Sequence, residues 1–442
     1  MFVQKFSSLM HRAGKNSIVR GGALSLTLKI LGMGSSYLLF FFLSRTGGAE
    51  RVGTFSIGFN YLTLMGQLAT IGLPIALLRF GAPLADKGQW GALRDLRNKV
   101  YLLQGSSGLF FMIVSLIVGP YLLELMYHQS IPYVFVLMLS IAIPFLGLNL
   151  VSADLVRSLG LIQISEVFRS ILVPLGTFIA VFIMYTAGIN RDELTVYTVL
   201  IVVTAICGMA VFEIILRNKR EKFGNGSADQ EAPSINKLLT TALPMTITSF
   251  AMLIMGKVNV LILGYFHSVE VVGQFTIAHK LAMTTSIILN SVNIIIGPKI
   301  AAQYWSNSYK MVNSTLRIGV RLAFLGGLPL ILCFVFLPGN ILSVFGKEFA
   351  GASNILIILA FGELINVVTG SVGLYLNMTG RQRLYMRFTL ISLFLSLLLS
   401  VWLVPKYGAI ASALSLVIAI TVLNIAATVF VRFKYNVICY LH

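Results

Sequence analysis

The stretch Glu50-Arg51-Val52-Gly53-Thr54-Phe55-Ser56-Ile57 returns 220 positions later as Glu270-Val271-Val272-Gly273-Gln274-Phe275-Thr276-Ile277. The same offset pairs Gly160 with Gly380 and Gly188 with Gly408. With a small slip, Ile71-Gly72-Leu73-Pro74 resembles Ile296-Gly297-Pro298. Several coincidences at one spacing read as a duplication. The halves are residues 1–217 and 238–442, and the polar piece between them, 218–237, carries Gly224-Asn225-Gly226-Ser227 and reads as a flexible cytoplasmic linker.

Outward from that repeat, apolar runs of about twenty residues recur along the whole chain, each long enough to cross the roughly 30 Å hydrocarbon core of a bilayer as a helix. They fall near residues 21–44, 53–76, 100–127, 131–153, 164–187 and 194–216, and again near 240–264, 275–298, 319–343, 351–376, 385–405 and 408–431. Thr46-Gly47-Gly48 and Tyr407-Gly408 mark short outer turns. Six is even, so both halves enter the membrane from the same side and are parallel repeats. The expected fold is an all-α polytopic membrane protein, with about twelve transmembrane helices in two parallel six-helix repeats around a central cavity.

Composition agrees. The chain is 57% hydrophobic and 11% charged, against about 25% charged in ordinary soluble domains. A soluble enzyme on a single anchor is excluded. The net charge of +18 invites a nucleic-acid reading, but its distribution opposes one. With the N-terminus in the cytoplasm, about twenty-three Lys and Arg fall on the cytoplasmic side, about five outside and about five within spans. This pattern sets topology and expects a multi-pass protein of the cell (inner) membrane with both termini cytoplasmic. The basic start (Lys5, Arg12, Lys15, Arg20) leads into a run long enough to span, so the first helix is expected to be retained.

Cys207, Cys333 and Cys439 are scattered, which indicates neither a zinc site nor a disulfide framework and reads as apolar packing. No D-x-D, Walker A motif or large loop is present. The expectation is a transporter, not an enzyme, without a cofactor. Its energy then comes from an H+ or Na+ gradient, a partner or substrate mass action.

Taken in order, Glu50 to Gly53, Gly72-Leu73-Pro74 with Arg79-Phe80, Val260-Leu261-Ile262-Leu263-Gly264, Glu270 to Gly273, Gly297-Pro298 and Leu376-Asn377-Met378-Thr379-Gly380 give the chain a family likeness. It resembles the Wzx-type polysaccharide flippases of the multidrug/oligosaccharidyl-lipid/polysaccharide (MOP) exporter superfamily. The resemblance implies transfer of an undecaprenyl-diphosphate-linked oligosaccharide from the inner to the outer leaflet by alternating access, for O-antigen, capsule or exopolysaccharide assembly. It also implies a polysaccharide polymerase and a chain-length regulator as partners. Where many relatives carry an acid on helix 7, this chain has Asn259. The alternative is an ion-coupled drug or metabolite exporter of the same fold. A cavity for cationic drugs is expected to be acidic, whereas the deep charges here include lysines.

An ionisable group at mid-bilayer costs on the order of 3 kcal/mol or more, so it faces a cavity or a partner. Lys29 and Lys257 lie deepest, on helices equivalent in the repeat, and are expected to line one chamber that receives the diphosphate. Lys280 is either a third cavity cation or an interfacial anchor. Arg169 either receives the diphosphate first or pairs with Glu166, three residues earlier; Arg321 reads as an anchor. Asp154 is expected to pair with Arg157. Glu363 is the leading candidate for proton or sodium coupling, with Asp154 and Glu166 behind it; Glu363 also suits pairing with a buried lysine, or packing. Ser35, Ser36, Asn60, Tyr61, Gln67, Asn149, Asn259, Asn290 and Asn293 either meet sugars or bond helix to helix.

Overall fold

The computed structural model describes residues 17–189, 193–223 and 233–441. Lys5, Arg12 and Lys15 of the basic start, and Gly224 to Ser227 of the expected linker, lie outside them. Every element among the described residues is helical. Helix α1 (Ser17–Ala69) passes through two expected spans with one bend at Gly48 (φ 64°, ψ −158°). A left-handed φ costs an L side chain roughly 1–2 kcal/mol, which is why glycine stands there. Next come α2 (Leu73–Asp86), α3 (Trp90–Tyr127), α4 (Tyr133–Ser158) and α5 (Ile162–Glu166). A π turn (Val167–Ile171) joins α5 to α6 (Leu172–Thr186), and α7 (Glu193–Phe223) closes the first half. The second half holds α8 (Ile235–Phe266), α9 (Val269–Trp305), α10 (Tyr309–Phe336), α11 (Pro338–Ser343), a 3-10 turn (Lys347–Ala352), α12 (Ser353–Thr369), α13 (Val372–Met378) and α14 (Gln382–Tyr435). The last of these bends at Gly408 (φ 57°, ψ −136°).

Nine helices among the described residues are long and apolar enough to span a membrane, and two of them, α1 and α14, are long enough to cross twice. Counting those two twice and adding α8, whose apolar stretch Phe250–Phe266 is shorter, gives twelve candidate passages among the described residues. Their outer faces are greasy: Ile117, Leu325 and Phe394 are among the many large apolar side chains left exposed, as lipid-facing residues are. This is a multi-pass membrane protein.

Two spans differ from expectation. The second ends at Ala69 rather than near 76, because Ile71 and Gly72 take φ of 40° and 75° and the chain restarts as α2 with Pro74 in its first turn. The tenth is broken at Gly370-Ser371, where Gly370 takes φ 68° and the Ser371 hydroxyl donates to Asn293 Oδ1.

The duplication is visible in the backbone. Gly160 and Gly380 have φ of 80° and 76°, and Gly188 and Gly408 have 69° and 57°. At Gly53 a Cβ would collide with the carbonyl oxygen of Val269, and at Gly273 one would collide with that of Ala49. Positions 49 and 269 are repeat mates, as are 53 and 273, so this is one crossing of α1 and α9 seen from both sides.

By proximity the chain forms two compact units: Met1–Leu39, Met65–Ile117 and Val134–Thr246; and Phe40–Leu64, Val118–Tyr133 and Ile247–His442. Proximity is a different property from the repeat read at 1–217 and 238–442. Leu73, Leu77, Leu93, Leu96, Val151 and Phe212 centre the core of the first unit. In the second, Ile300, Leu316, Tyr375 and Val431 do the same.

Candidate functional site

In the second unit two lysines share one aromatic cluster. Lys257 on α8 donates from Nζ to Asn60 Oδ1 at 3.1 Å and lies 4.6 Å from the centroid of Phe59. Lys280 on α9 lies 4.2 Å from the centroid of Phe40. Phe55 joins the two rings, edge-on to Phe40 at 5.6 Å and stacked with Phe59 at 5.9 Å. The charges of Lys257 and Lys280 act on each other and on His279, which stacks on Phe275 at 5.7 Å. Both lysines are half-buried.

Local sequence explains the arrangement. Phe55 and Phe59 are four residues apart and share a helix face. The Gly53–Gly273 crossing lets the second limb of α1 meet α9 at backbone distance. Asn60 donates from Nδ2 to the Ser56 carbonyl at 2.7 Å, which leaves its oxygen for Lys257. A ring face holds an ammonium with about 0.5–2 kcal/mol and a hydrogen bond to a charged group with about 1.5–3 kcal/mol. For Lys257 these are weak, neutral partners that an anion can outbid.

The first unit treats its cations differently. Arg169 donates to Asp154 Oδ1 at 3.0 Å, and Lys29 Nζ lies 3.9 Å from Glu166 Oε1. This corrects two expected pairings. Glu166 does not hold Arg169, because the π turn that follows Glu166 widens the helix and swings Arg169 toward α4. Asp154 does not take Arg157 as its bonded partner; Arg157 only adds to the field there. Beside the Lys29–Glu166 pair, Glu166 Oε2 and Ser165 Oγ are buried with no hydrogen-bond partner among the described residues. One turn along, α1 presses on the π turn: a Cβ on Gly32 would stand 2.8 Å from Ser170 Cβ. Asp154 is buried and the Arg169 side chain is 30% exposed. Asp154→Ala is therefore expected to lower the unfolding free energy by about 2–3 kcal/mol, since it leaves the guanidinium unmatched. Thermal or denaturant unfolding in detergent checks this, and a loss below about 0.5 kcal/mol rejects the pairing as a stabilising contact.

Glu363 is not lysine-paired, the expectation that suited its depth. Ser286 Oγ donates to Glu363 Oε2 at 2.6 Å, and Asn366 Nδ2 donates to the same oxygen at 3.3 Å. Asn424 Nδ2 extends the chain to Asn366 Oδ1 at 3.1 Å. The carboxylate thus sits in a neutral network joining α9, α12 and α14. Several sugar candidates serve helix packing instead: Asn149 bonds Thr204, Asn293 bonds Ser371, and Asn259 bonds Ser396 and Ser400. Sequence reasoning reached both lysines and Asn60 but missed Phe40 and Phe59. The i, i+4 aromatic pair Phe55/Phe59, one residue before Asn60, was the available signal.

Residues 18–302 match the family described as polysaccharide biosynthesis protein, and residues 244–402 match MatE. Over 265 residues the chain is 26% identical to a probable low-salt glycan biosynthesis flippase of Haloferax volcanii, a stretch covering 58% of this chain and 53% of that protein. The chain thus spans about half the length of that relative. In fold it is similar to an inward-facing multidrug resistance transporter of the MATE family of the MOP superfamily (TM-score 0.74, 14% identity, 94% and 98% of the two chains). It is also similar to the lipid II flippase MurJ in an inward closed conformation (TM-score 0.69, 15% identity, 95% and 88%).

Proposed function

The chain belongs to the family described as polysaccharide biosynthesis protein, and from that premise we propose that it is a MOP-superfamily flippase for a lipid-linked oligosaccharide. The cargo is an undecaprenyl-diphosphate-linked oligosaccharide, carried from the inner to the outer leaflet of the cell membrane for O-antigen, capsule or exopolysaccharide assembly. The route is alternating access, with both termini cytoplasmic and with a polymerase and a chain-length regulator downstream.

One observation supports this reading above the others: Lys257 and Lys280 are held by ring faces and an amide. A diphosphate bears about two negative charges and cannot enter a low-dielectric region uncompensated. Two ammonium groups offset that cost. Because they are hydrated point charges on flexible stems, they release the cargo more readily than an arginine fork does. In the first unit, Lys29 and Arg169 are already met by carboxylates, so they suit brief first contact with the head group better than its principal binding. The basic cluster disfavours cationic drugs, the cargo of the alternative reading. The test is leaflet-resolved measurement of lipid-linked oligosaccharide in a deletion strain. Accumulation in the inner leaflet, reversed by the intact gene, is expected; an unchanged distribution rejects the function.

Coupling to H+ or Na+ is assigned to Glu363, with Asp154 and Glu166 held by their cations. Glu363→Gln keeps an acceptor for Ser286 and so keeps the fold. In proteoliposomes it is expected to abolish the stimulation of transport by an imposed ion gradient while leaving downhill exchange intact. Equal stimulation in both proteins removes Glu363 from this role.

A further inference from the structure

Beyond Glu363 the chain has no acid: Leu364 to His442 contains neither Asp nor Glu, but does contain Arg381, Arg383, Arg387, Lys406, Arg432 and Lys434. Helix α14 ends in this basic stretch. Its C-cap is Asn436 in a left-handed conformation (φ 52°), whose N–H returns to the Arg432 carbonyl at 3.1 Å. The chain then folds back. Ile438 N–H donates to Asn313 Oδ1 at 3.0 Å, and Leu441 N–H donates to the Val368 carbonyl at 2.9 Å. Val437 and Cys439 are buried. The tail thus lies across the break in the tenth span: it caps a carbonyl beside the break, and the Cys439 carbonyl packs against Gly370.

Between the last turns of α14 and this tail is a half-open groove of about 610 Å³, lined by Thr428, Val429, Arg432, Phe433, Asn436 and Tyr440. It has two characters. Val429 and Phe433 form an apolar wall one turn deep, and Phe433 is 86% exposed at the end of a membrane span. Arg432, Asn436 and Tyr440 form the other, polar end. Arg432 is anchored there by a bond from Nη1 to Asn436 Oδ1 at 2.8 Å, and a guanidinium has five donors in all. A cation at the polar end, with an apolar strip leading toward the hydrocarbon, complements a molecule with an anionic head and acyl chains.

We propose that this groove binds an anionic phospholipid, with the headgroup phosphate on Arg432 and an acyl chain along Val429 and Phe433. Because the groove is walled by Asn436 and Tyr440, the bound lipid holds the tail down, and through it braces the break in the tenth span. Lipid composition therefore sets how often that brace lets go.

Cys439 reports on the tail. Burial pushes its thiol up to about 12, so it reacts with maleimide only when the tail lifts. The experiment uses the full chain carrying Cys207→Ala and Cys333→Ala, in nanodiscs of phosphatidylcholine alone or with phosphatidylglycerol. Labelling of Cys439 is expected to be about tenfold slower with the anionic lipid, as ligand binding to the docked form requires. Arg432→Gln is expected to erase the difference, and Lys434→Gln, whose Nζ lies over Phe430, is expected to preserve it. Equal labelling of the parent chain in the two lipids overturns the proposal even if no Arg432 variant folds. So does equal loss in the two variants, which would indicate surface charge alone. Full protection by glycerol 3-phosphate in phosphatidylcholine would indicate an anion site without a lipid requirement, and likewise overturns it.

Discussion

Replacing Lys257 and Lys280 together by alanine is expected to stop transport while leaving the protein abundant in the membrane. Each ammonium contributes about 2 kcal/mol to holding an anion, as a charge-assisted hydrogen bond does. That is about thirtyfold apiece and at most about a thousandfold for the pair, since neighbouring effects need not add in full. Lys257 loses a ring face and one amide, and Lys280 loses a ring face among its contacts; membrane abundance is measured alongside transport. Asn60→Ala sharpens the assignment. It removes the hydrogen bond that positions Lys257 but keeps the charge, so its effect is expected to be closer to tenfold than to a thousandfold. Uptake of labelled lipid-linked oligosaccharide into proteoliposomes measures all three. Transport retained in the double variant within about threefold of the parent (about 0.7 kcal/mol) refutes the site.

The second large effect concerns the crossing of α1 and α9. A valine at Gly273 has no room, because its Cβ would occupy the position of the Ala49 carbonyl; the same holds for Gly53 and Val269. The helices must part, and overpacking of this kind costs about 3 kcal/mol or more. Gly53→Val and Gly273→Val are expected to lower thermal stability by similar amounts, since each breaks the same crossing. The double variant is expected to be little worse than either single, because the first substitution has already opened the contact and neighbouring effects do not add. Unfolding midpoints of the three variants in one detergent decide the matter. Strictly additive losses would mean that the two glycines act at separate places.

The recurrence of Glu50 to Ile57 at Glu270 to Ile277 made the two-repeat fold legible, and the paired left-handed glycines at 160/380 and 188/408 match it. Helix count was legible because apolar length alone decides it. The broken tenth span was not. Gly370-Ser371 sits in an apolar run, and only contacts made by residues distant in sequence, Asn293 and Leu441, reveal that the break is stabilised. Position along the apolar runs could be read for Lys29, Lys257 and Glu363, but partners could not. The i, i+3 rule favoured Glu166–Arg169, and a single π turn was enough to defeat it. The aromatic rings under the lysines were hidden for a different reason: in a chain with 30 phenylalanines, composition gives no hint of which few face a charge.

The crossing at Gly53 and Gly273 also bears on ancestry. Each glycine meets the carbonyl four residues before the other, the self-complementary geometry by which identical copies associate about a two-fold axis. An ancestral pair of separate six-helix chains would have carried its cations in duplicate or not at all. Today the position matching Lys280 is Asn60, and the position matching Phe59 is His279. The paired segments now differ in kind: one contributes charge and the other cushions it. An inherited symmetric frame now presents a one-sided chemistry.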